Sequence, residues 1–218
     1  MTVRAVVFDM DGVLVDSEPV WNRVRVELAA ERGLTWTDEM QRACMGRATV
    51  EWAEVVRDRL HLPWSVDEVI ADVRRRMQAA YRQRLPVIPG AVEAVRRIAA
   101  AFPVALASGS MTVLIHEVLS ATGLERVLPV VVLGDTVPRG KPAPDIYLEA
   151  ARRLELPPED CAGVEDSANG LRALRAAGMK AIAIPTADYP LPAEALALAH
   201  LRLGRIDELT VEAVRGLA

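Results

Sequence analysis

The sequence reads as an α/β protein, a Rossmann-like parallel sheet core with an inserted all-α cap domain. Three observations predict this. Short apolar runs alternate with segments of helical periodicity, the pattern of strands joined by helical crossovers. The runs are almost continuously apolar, as strands covered on both faces must be. The alternation breaks once, between about Val15 and Pro86, where helical patterns follow one another without a convincing strand. With 218 residues, 51% of them hydrophobic, the chain is long enough to bury a full core.

The first strand is VRAVVF, and it ends at Asp9. The insertion then opens with Asp16 or Ser17 as a helix cap, Pro19 in the first turn and Gly33 as the stop. Trp21, Val24 and Leu28 share one face of that helix. A second pattern groups Trp52, Val55, Val56 and Leu60, and a third groups Val66, Val69, Ile70, Val73 and Met77. Each apolar face needs something to pack against, which makes the insertion a small domain of its own. The expected division is 1–15 with 88–218 for the core and 16–87 for the cap. Trp21, Trp36, Trp52 and Trp64 all fall in the cap; the last three would fill its interior, while Trp21, close behind the first motif, could line a pocket instead. After Pro89-Gly90 the strand-like runs resume as VALAS (104–108), VVVLG (130–134), CAGVE (161–165) and AIAIP (181–185), joined by right-handed crossovers. Ligands of open parallel sheets bind outside the carboxyl ends of the strands. The insertion leaves from one such end, so the cap is expected to act as a lid.

Composition excludes several function classes. Net charge is −4, with both signs interspersed and no basic stripe, so nucleic acid and membrane surfaces are not expected partners, and no protein partner is evident. No apolar stretch reaches the roughly 18 residues of a membrane span. The amino terminus also lacks a signal pattern, which together reads as cytoplasmic. Cys44 and Cys161 lie far apart without a nearby His or second Cys, so they are expected to be reduced and buried, neither a disulfide nor a thiolate metal site.

The chemistry gathers at the predicted strand ends. In FDMDG, alternation along extended chain puts Asp9 and Asp11 on one side, where like charges repel unless a positive group lies between them. A divalent cation is the simplest such group. Ser108 leads into Gly109-Ser110, a hydroxyl followed by permissive backbone whose N–H groups can cradle phosphate oxygens. Lys141 sits in RGKPAPD, where glycine and prolines would fix a loop around one cation. Glu165 and Asp166 add two hard oxygen ligands ahead of the cap-like Ser167. Ser108 could instead cap the following helix, and Glu165 could be a supporting group.

DMDGVLVDSE, ASGS, GKPAPD and VEDSANG, in this order and spacing, resemble the haloacid dehalogenase superfamily of phosphotransferases across essentially the whole chain. The branch with an α-helical cap after the first motif, which includes sugar-phosphate phosphatases and β-phosphoglucomutases, is the most similar. The resemblance implies Asp9 as the nucleophile that forms an aspartyl-phosphate and Asp11 as the general acid and base. It implies Ser108, Gly109 and Lys141 around the phosphate, and Mg²⁺ between Asp9 and Asp166, with the Asp11 carbonyl and Glu165 assisting. Trp21 stands where the resemblance suggests substrate contact in the cap, and Arg47, close to the family's arginine slot but displaced from it, is a second candidate.

The expected function is a Mg²⁺-dependent phosphatase acting on small phosphorylated metabolites, sugar or polyol phosphates foremost. The alternative is a β-phosphoglucomutase-type phosphotransferase. Against it, Trp21 stands where mutases typically carry a His. Near Gly46, Thr49 occupies the slot of their phosphate-gripping Arg, with Arg47 displaced from it, and Met111 stands where they tend to have Lys. A phospho-accepting signalling module shares the acidic site and the lysine, but it has little use for a helical lid.

Overall fold

The structure is a computed structural model, and it describes residues 2–44, 47, 49–186 and 190–217. The chain separates into two compact units, Met1–Asp16 with Val87–Ala218, and Ser17–Pro86. The strands are β1 (Ala5–Phe8), β2 (Val104–Ser108), β3 (Val130–Leu133), β4 (Cys161–Glu165), β5 (Lys180–Ala183) and β6 (Leu201–Arg202). The helices are α1 (Glu18–Ala30), α2 (Asp38–Cys44), α3 (Thr49–Arg59), α4 (Val66–Gln83), α5 (Ala91–Ala99), α6 (Thr112–Thr122), α7 (Asp145–Arg153), α8 (Ala168–Ala176), α9 (Ala193–Leu196) and α10 (Val211–Arg215).

In the larger unit the described strands form one parallel sheet in the order β3-β2-β1-β4-β5-β6. Successive connections run outward from β1 to β2 and β3, then return to its other side for β4. The order therefore reverses around β1, the place where open α/β sheets leave a crevice at the carboxyl ends of their strands. Every residue of β1, β2 and β4 is buried, which explains their unbroken apolar character. Ala5 and Val7 point to one face and pack in a cluster with Tyr147 and Ala150 of α7 and Leu171 and Leu174 of α8. Phe8, fully buried, faces the other way. Burial of such a side chain stabilises the fold by roughly 1.5–3 kcal/mol.

In the smaller unit α1 buries Trp21, Val24 and Leu28, α3 buries Trp52 and Val56, and α4 buries Val69, Val73 and Met77. Trp21 and Trp52 meet edge to face with ring centroids 5.5 Å apart, and the buried Arg25 guanidinium lies 5.1 and 5.7 Å from these two rings. Trp36 Nε1 donates to Gln41 Oε1 at 2.8 Å. Arg76 joins α4 to the end of α1 by donating to both carboxylate oxygens of Glu31 at 2.7 Å, while its Nε donates to Asp72 at 2.6 Å.

Several expectations need correction. The insertion holds α2 in addition to the three periodic patterns; its seven residues are too few for periodicity to register. Ser17 precedes α1 in helical conformation, and its side chain makes no capping bond. The strong cap is elsewhere, a reciprocal box between Ser65 and Glu68 that opens α4. Helix α6 starts after Met111, so Ser108 is not its cap residue. Strand β6, two residues long, carries no pattern. As the sequence predicts, Cys44 and Cys161 are buried thiols outside any disulfide. Among the described residues no helix is long and apolar enough to cross a membrane.

Candidate active site

Strand register brings the acidic residues together. Phe8 of β1 is level with Val164 of β4, so the next residues, Asp9 and Glu165, stand side by side at the strand ends. The Asp9 N–H completes the ladder by donating to Val164 O at 3.0 Å. Beyond Asp9 the chain turns sharply: Val13, Leu14 and Val15 N–H groups all converge on the Met10 carbonyl, and the Gly12 N–H donates to Val15 O at 2.8 Å. Gly12 takes a left-handed φ of +74°, and the turn holds Asp11 beside the strand ends.

Lys141 reaches the same spot from the loop before α7. Its Nζ donates to Asp9 Oδ1 and to Glu165 Oε1, each at 2.6 Å. The Tyr147 hydroxyl also donates to Glu165 Oε1, and the Tyr147 ring centroid lies 5.0 Å from Lys141 Nζ. The other Glu165 oxygen accepts from Asp166 N–H and Ser167 N–H at 3.2 Å and from Ser167 Oγ at 3.0 Å. Ser167 in turn caps α8 by accepting from Gly170 N–H at 3.0 Å. Ser108 Oγ donates to Asp11 Oδ2 at 3.5 Å and accepts from Ser110 N–H at 3.1 Å, drawing the start of the Gly109-Ser110 loop toward the acidic pair.

Electrostatics follow from burial. Burial raises the Asp9 carboxyl to about 8, with Glu165 and Asp11 adding to the rise and Lys141 opposing it. Asp166 is raised for the same reason, burial first and then Glu165 and Asp9. Burial would lower Lys141, but Asp9 and Glu165 outweigh it and hold the ammonium well above an ordinary lysine. Glu165 stays below its usual range because Lys141 and its hydrogen bonds overcome burial.

The Lys141 ammonium thus lies between the carboxyls of Asp9 and Glu165, with Asp166 beside them. Oxygens from Asp9, Glu165 and Asp166 lie within 4.8 Å of one another, and these hard donors together with the raised carboxyls suit a divalent cation. Glu165 already accepts donors on both oxygens, which leaves Asp9 and Asp166 as the better-placed carboxylate pair.

The residues of the four motifs, Asp9, Asp11, Ser108, Lys141, Glu165 and Asp166, therefore come together, with Gly109 next to Ser108. Of the two candidates from the helical unit, Trp21 is buried against Trp52 and Arg25, and Arg47 is exposed between α2 and α3. Gly46 lies outside the described residues, and Thr49 is the first residue of α3. Ser167 is the cap that the sequence predicts, whereas its donation to Glu165 and the presence of Tyr147 at the site were missed by sequence reasoning. The available signal was the position of Tyr147, which follows GKPAPD on the same short segment as Lys141.

A family model described as haloacid dehalogenase-like hydrolase matches residues 3–178. The chain is 34% identical over 183 residues to the bifunctional riboflavin kinase/FMN phosphatase of Arabidopsis thaliana, covering 83% of this chain and 48% of that protein, so it spans about half the length of that relative. It is 31% identical over 220 residues to hexitol phosphatase B of Escherichia coli (strain K12), covering 98% of this chain and 97% of that protein. Among solved structures, CbbY from Rhodobacter sphaeroides in complex with phosphate superposes with a TM-score of 0.84 at 26% identity, covering 97% of this chain and 99% of that one.

Proposed function

The chain belongs to the haloacid dehalogenase-like hydrolases, and from that premise we propose that it hydrolyses sugar or polyol phosphates through a phosphorylated Asp9. The observation that carries this reading is Lys141 Nζ, 2.6 Å from both Asp9 and Glu165, at the strand ends beside Asp166. The name of the hexitol phosphatase relative supports the substrate class.

In the first step an Asp9 carboxylate oxygen attacks phosphorus in line, a P–O bond to Asp9 forms, and the bond to the leaving oxygen breaks. Asp11 gives that oxygen its proton. In the second step Asp11 takes a proton from water as the water attacks phosphorus, releasing inorganic phosphate and restoring the Asp9 carboxylate. Lys141 keeps Asp9 oriented and, with Ser108 and the N–H groups that follow it, holds the equatorial phosphoryl oxygens, where charge stabilisation is usually the largest catalytic contribution. Members of this family generally use Mg²⁺. Here Asp9, Asp166 and the Asp11 carbonyl would hold the ion, which when bound lowers the repulsion between the anionic nucleophile and phosphate. Trp21, by its position in the family resemblance, and Arg47, as an arginine near the family's slot, are this reading's substrate-contacting residues in the helical unit.

The test is release of inorganic phosphate from a panel of sugar and polyol phosphates with millimolar Mg²⁺, alongside β-glucose 1-phosphate supplied with catalytic glucose 1,6-bisphosphate. Hydrolysis of several esters is expected. Glucose 6-phosphate forming faster than inorganic phosphate would replace the phosphatase with a mutase.

A further inference from the structure

We propose that Tyr147 is a positioning residue for the phosphoryl transfer, its hydroxyl fixing Glu165 so that Lys141 stays shared with Asp9. The inference rests on the phosphatase reading above and deepens it.

Glu165 is fully buried at the end of β4 and Tyr147 is fully buried on α7, so neither group can turn to water for a substitute partner. Glu165 Oε1 accepts from two donors, Lys141 Nζ and Tyr147 OH. The opposite oxygen is held by two backbone N–H groups and the Ser167 hydroxyl, which pins one end of the carboxylate to the start of α8. Lys141 is therefore pulled from two sides, by Asp9 and by Glu165. A phenol donating to Oε1 meets part of that oxygen's demand. Without it the carboxylate would draw more strongly on the ammonium, at the expense of the Asp9 contact that orients the nucleophile.

The local chain explains how both donors arrive. Lys141 and Tyr147 belong to one short segment, a loop running into the first turns of α7. The Tyr147 ring flanks the ammonium at 5.0 Å and limits its sideways movement. A phenylalanine would supply the same ring and the same packing against Ala5 and Val7, so packing does not account for the hydroxyl. Hydrogen-bond partners that orient metal-ligating side chains cost about 10- to 100-fold in activity when removed, and a loss of the same order is expected here.

The test is Tyr147→Phe compared with Ile146→Val, a substitution at the adjacent buried position, which belongs to the apolar core cluster on the same helix. Turnover is measured on the best ester of the panel at saturating Mg²⁺, with thermal unfolding recorded for each protein. The expected result is a kcat about 10- to 100-fold lower in Tyr147→Phe, KM within about twofold of wild type, and unchanged kcat in Ile146→Val. Wild-type kcat in Tyr147→Phe, or an equal loss in Ile146→Val, would overturn the proposal.

A second measurement does not depend on turnover. Burial and the carboxylate acceptor should protect the Tyr147 hydroxyl proton from solvent exchange. It should give a slowly exchanging proton resonance in wild type that vanishes in Tyr147→Phe and in Glu165→Gln. Absence of that resonance from wild type also overturns the proposal. A wild-type protein that hydrolyses no phosphate ester would instead remove the phosphatase reading, an outcome distinct from an active enzyme indifferent to Tyr147→Phe.

Discussion

Gly12 and Asp166 approach so closely that a Cβ at position 12 would stand 1.8 Å from Asp166 Oδ2. Two motifs far apart in sequence thus meet through the absence of a side chain. The left-handed φ of Gly12 adds a second reason for glycine, worth roughly 1–2 kcal/mol against any other residue. Gly12→Ala is therefore expected to lower unfolding free energy by at least about that amount and to push Asp166 out of position, weakening Mg²⁺ binding at least about tenfold. Denaturant unfolding and calorimetric titration with Mg²⁺ check this. Native Mg²⁺ affinity in the variant would contradict it.

Gly170 and Gly109 should answer differently to the same change. A Cβ at Gly170 would fall 1.8 Å from the Glu165 carboxyl, whereas one at Gly109 meets nothing among the described residues within 4 Å. Gly170→Ala is expected to destabilise the protein by about 1–3 kcal/mol, as overpacking in a tight interior does. Gly109→Ala should change stability by no more than about 0.5 kcal/mol. Equal stabilities for the two variants would refute the close packing of α8 on Glu165.

Asp166→Ala should abolish Mg²⁺ binding and turnover together, because Asp9 alone gives a hard dication too few anionic oxygens. EDTA should stop the wild-type reaction, and Mg²⁺ should restore it. Ca²⁺ should bind and inhibit, since its larger and looser coordination shell sets the nucleophile at the wrong distance from phosphorus. Full activity of Asp166→Ala would show that the metal lies elsewhere.

Glu149 accepts from Arg152 and Arg153 across one exposed turn of α7, at 2.7 to 2.8 Å. Hydrogen bonds from Arg152 and then Arg153 lower its carboxyl from 4.5 to about 2. A lowered carboxyl stabilises the folded state above its unfolded value of 4.5, and the contribution is lost as pH falls through about 2. Carbon-detected NMR titration of Glu149 should give a midpoint near 2, moving toward 4.5 when both arginines are replaced by glutamine. A wild-type midpoint at 4.5 would show that the ion pairs do not persist in solution.

The parallel sheet was legible because its strands are covered on both faces, which writes an unbroken apolar run into each of β1, β2 and β4. Asp9, Lys141 and Glu165 were legible because each stands at a strand end or in a proline-braced loop, where a charged residue has few structural reasons to be. Helix α2 was not, since seven residues span too few turns to show a period. Ser17 looked like a cap, but its backbone is already helical, and a cap needs extended geometry to aim its side chain at the first N–H groups. Tyr147 was hidden for another reason. Its ring satisfies the pattern of a core helix, and only three-dimensional contact distinguishes its hydroxyl from a phenylalanine's hydrogen.

The most direct test is the initial rate of inorganic phosphate release from the best sugar or polyol phosphate, compared between wild type and Asp9→Asn at the same Mg²⁺ concentration. An amide cannot act as the anionic nucleophile, so the variant should fold normally and lose on the order of 10⁴-fold or more in rate. A folded Asp9→Asn protein that releases phosphate at close to the wild-type rate would contradict catalysis through Asp9.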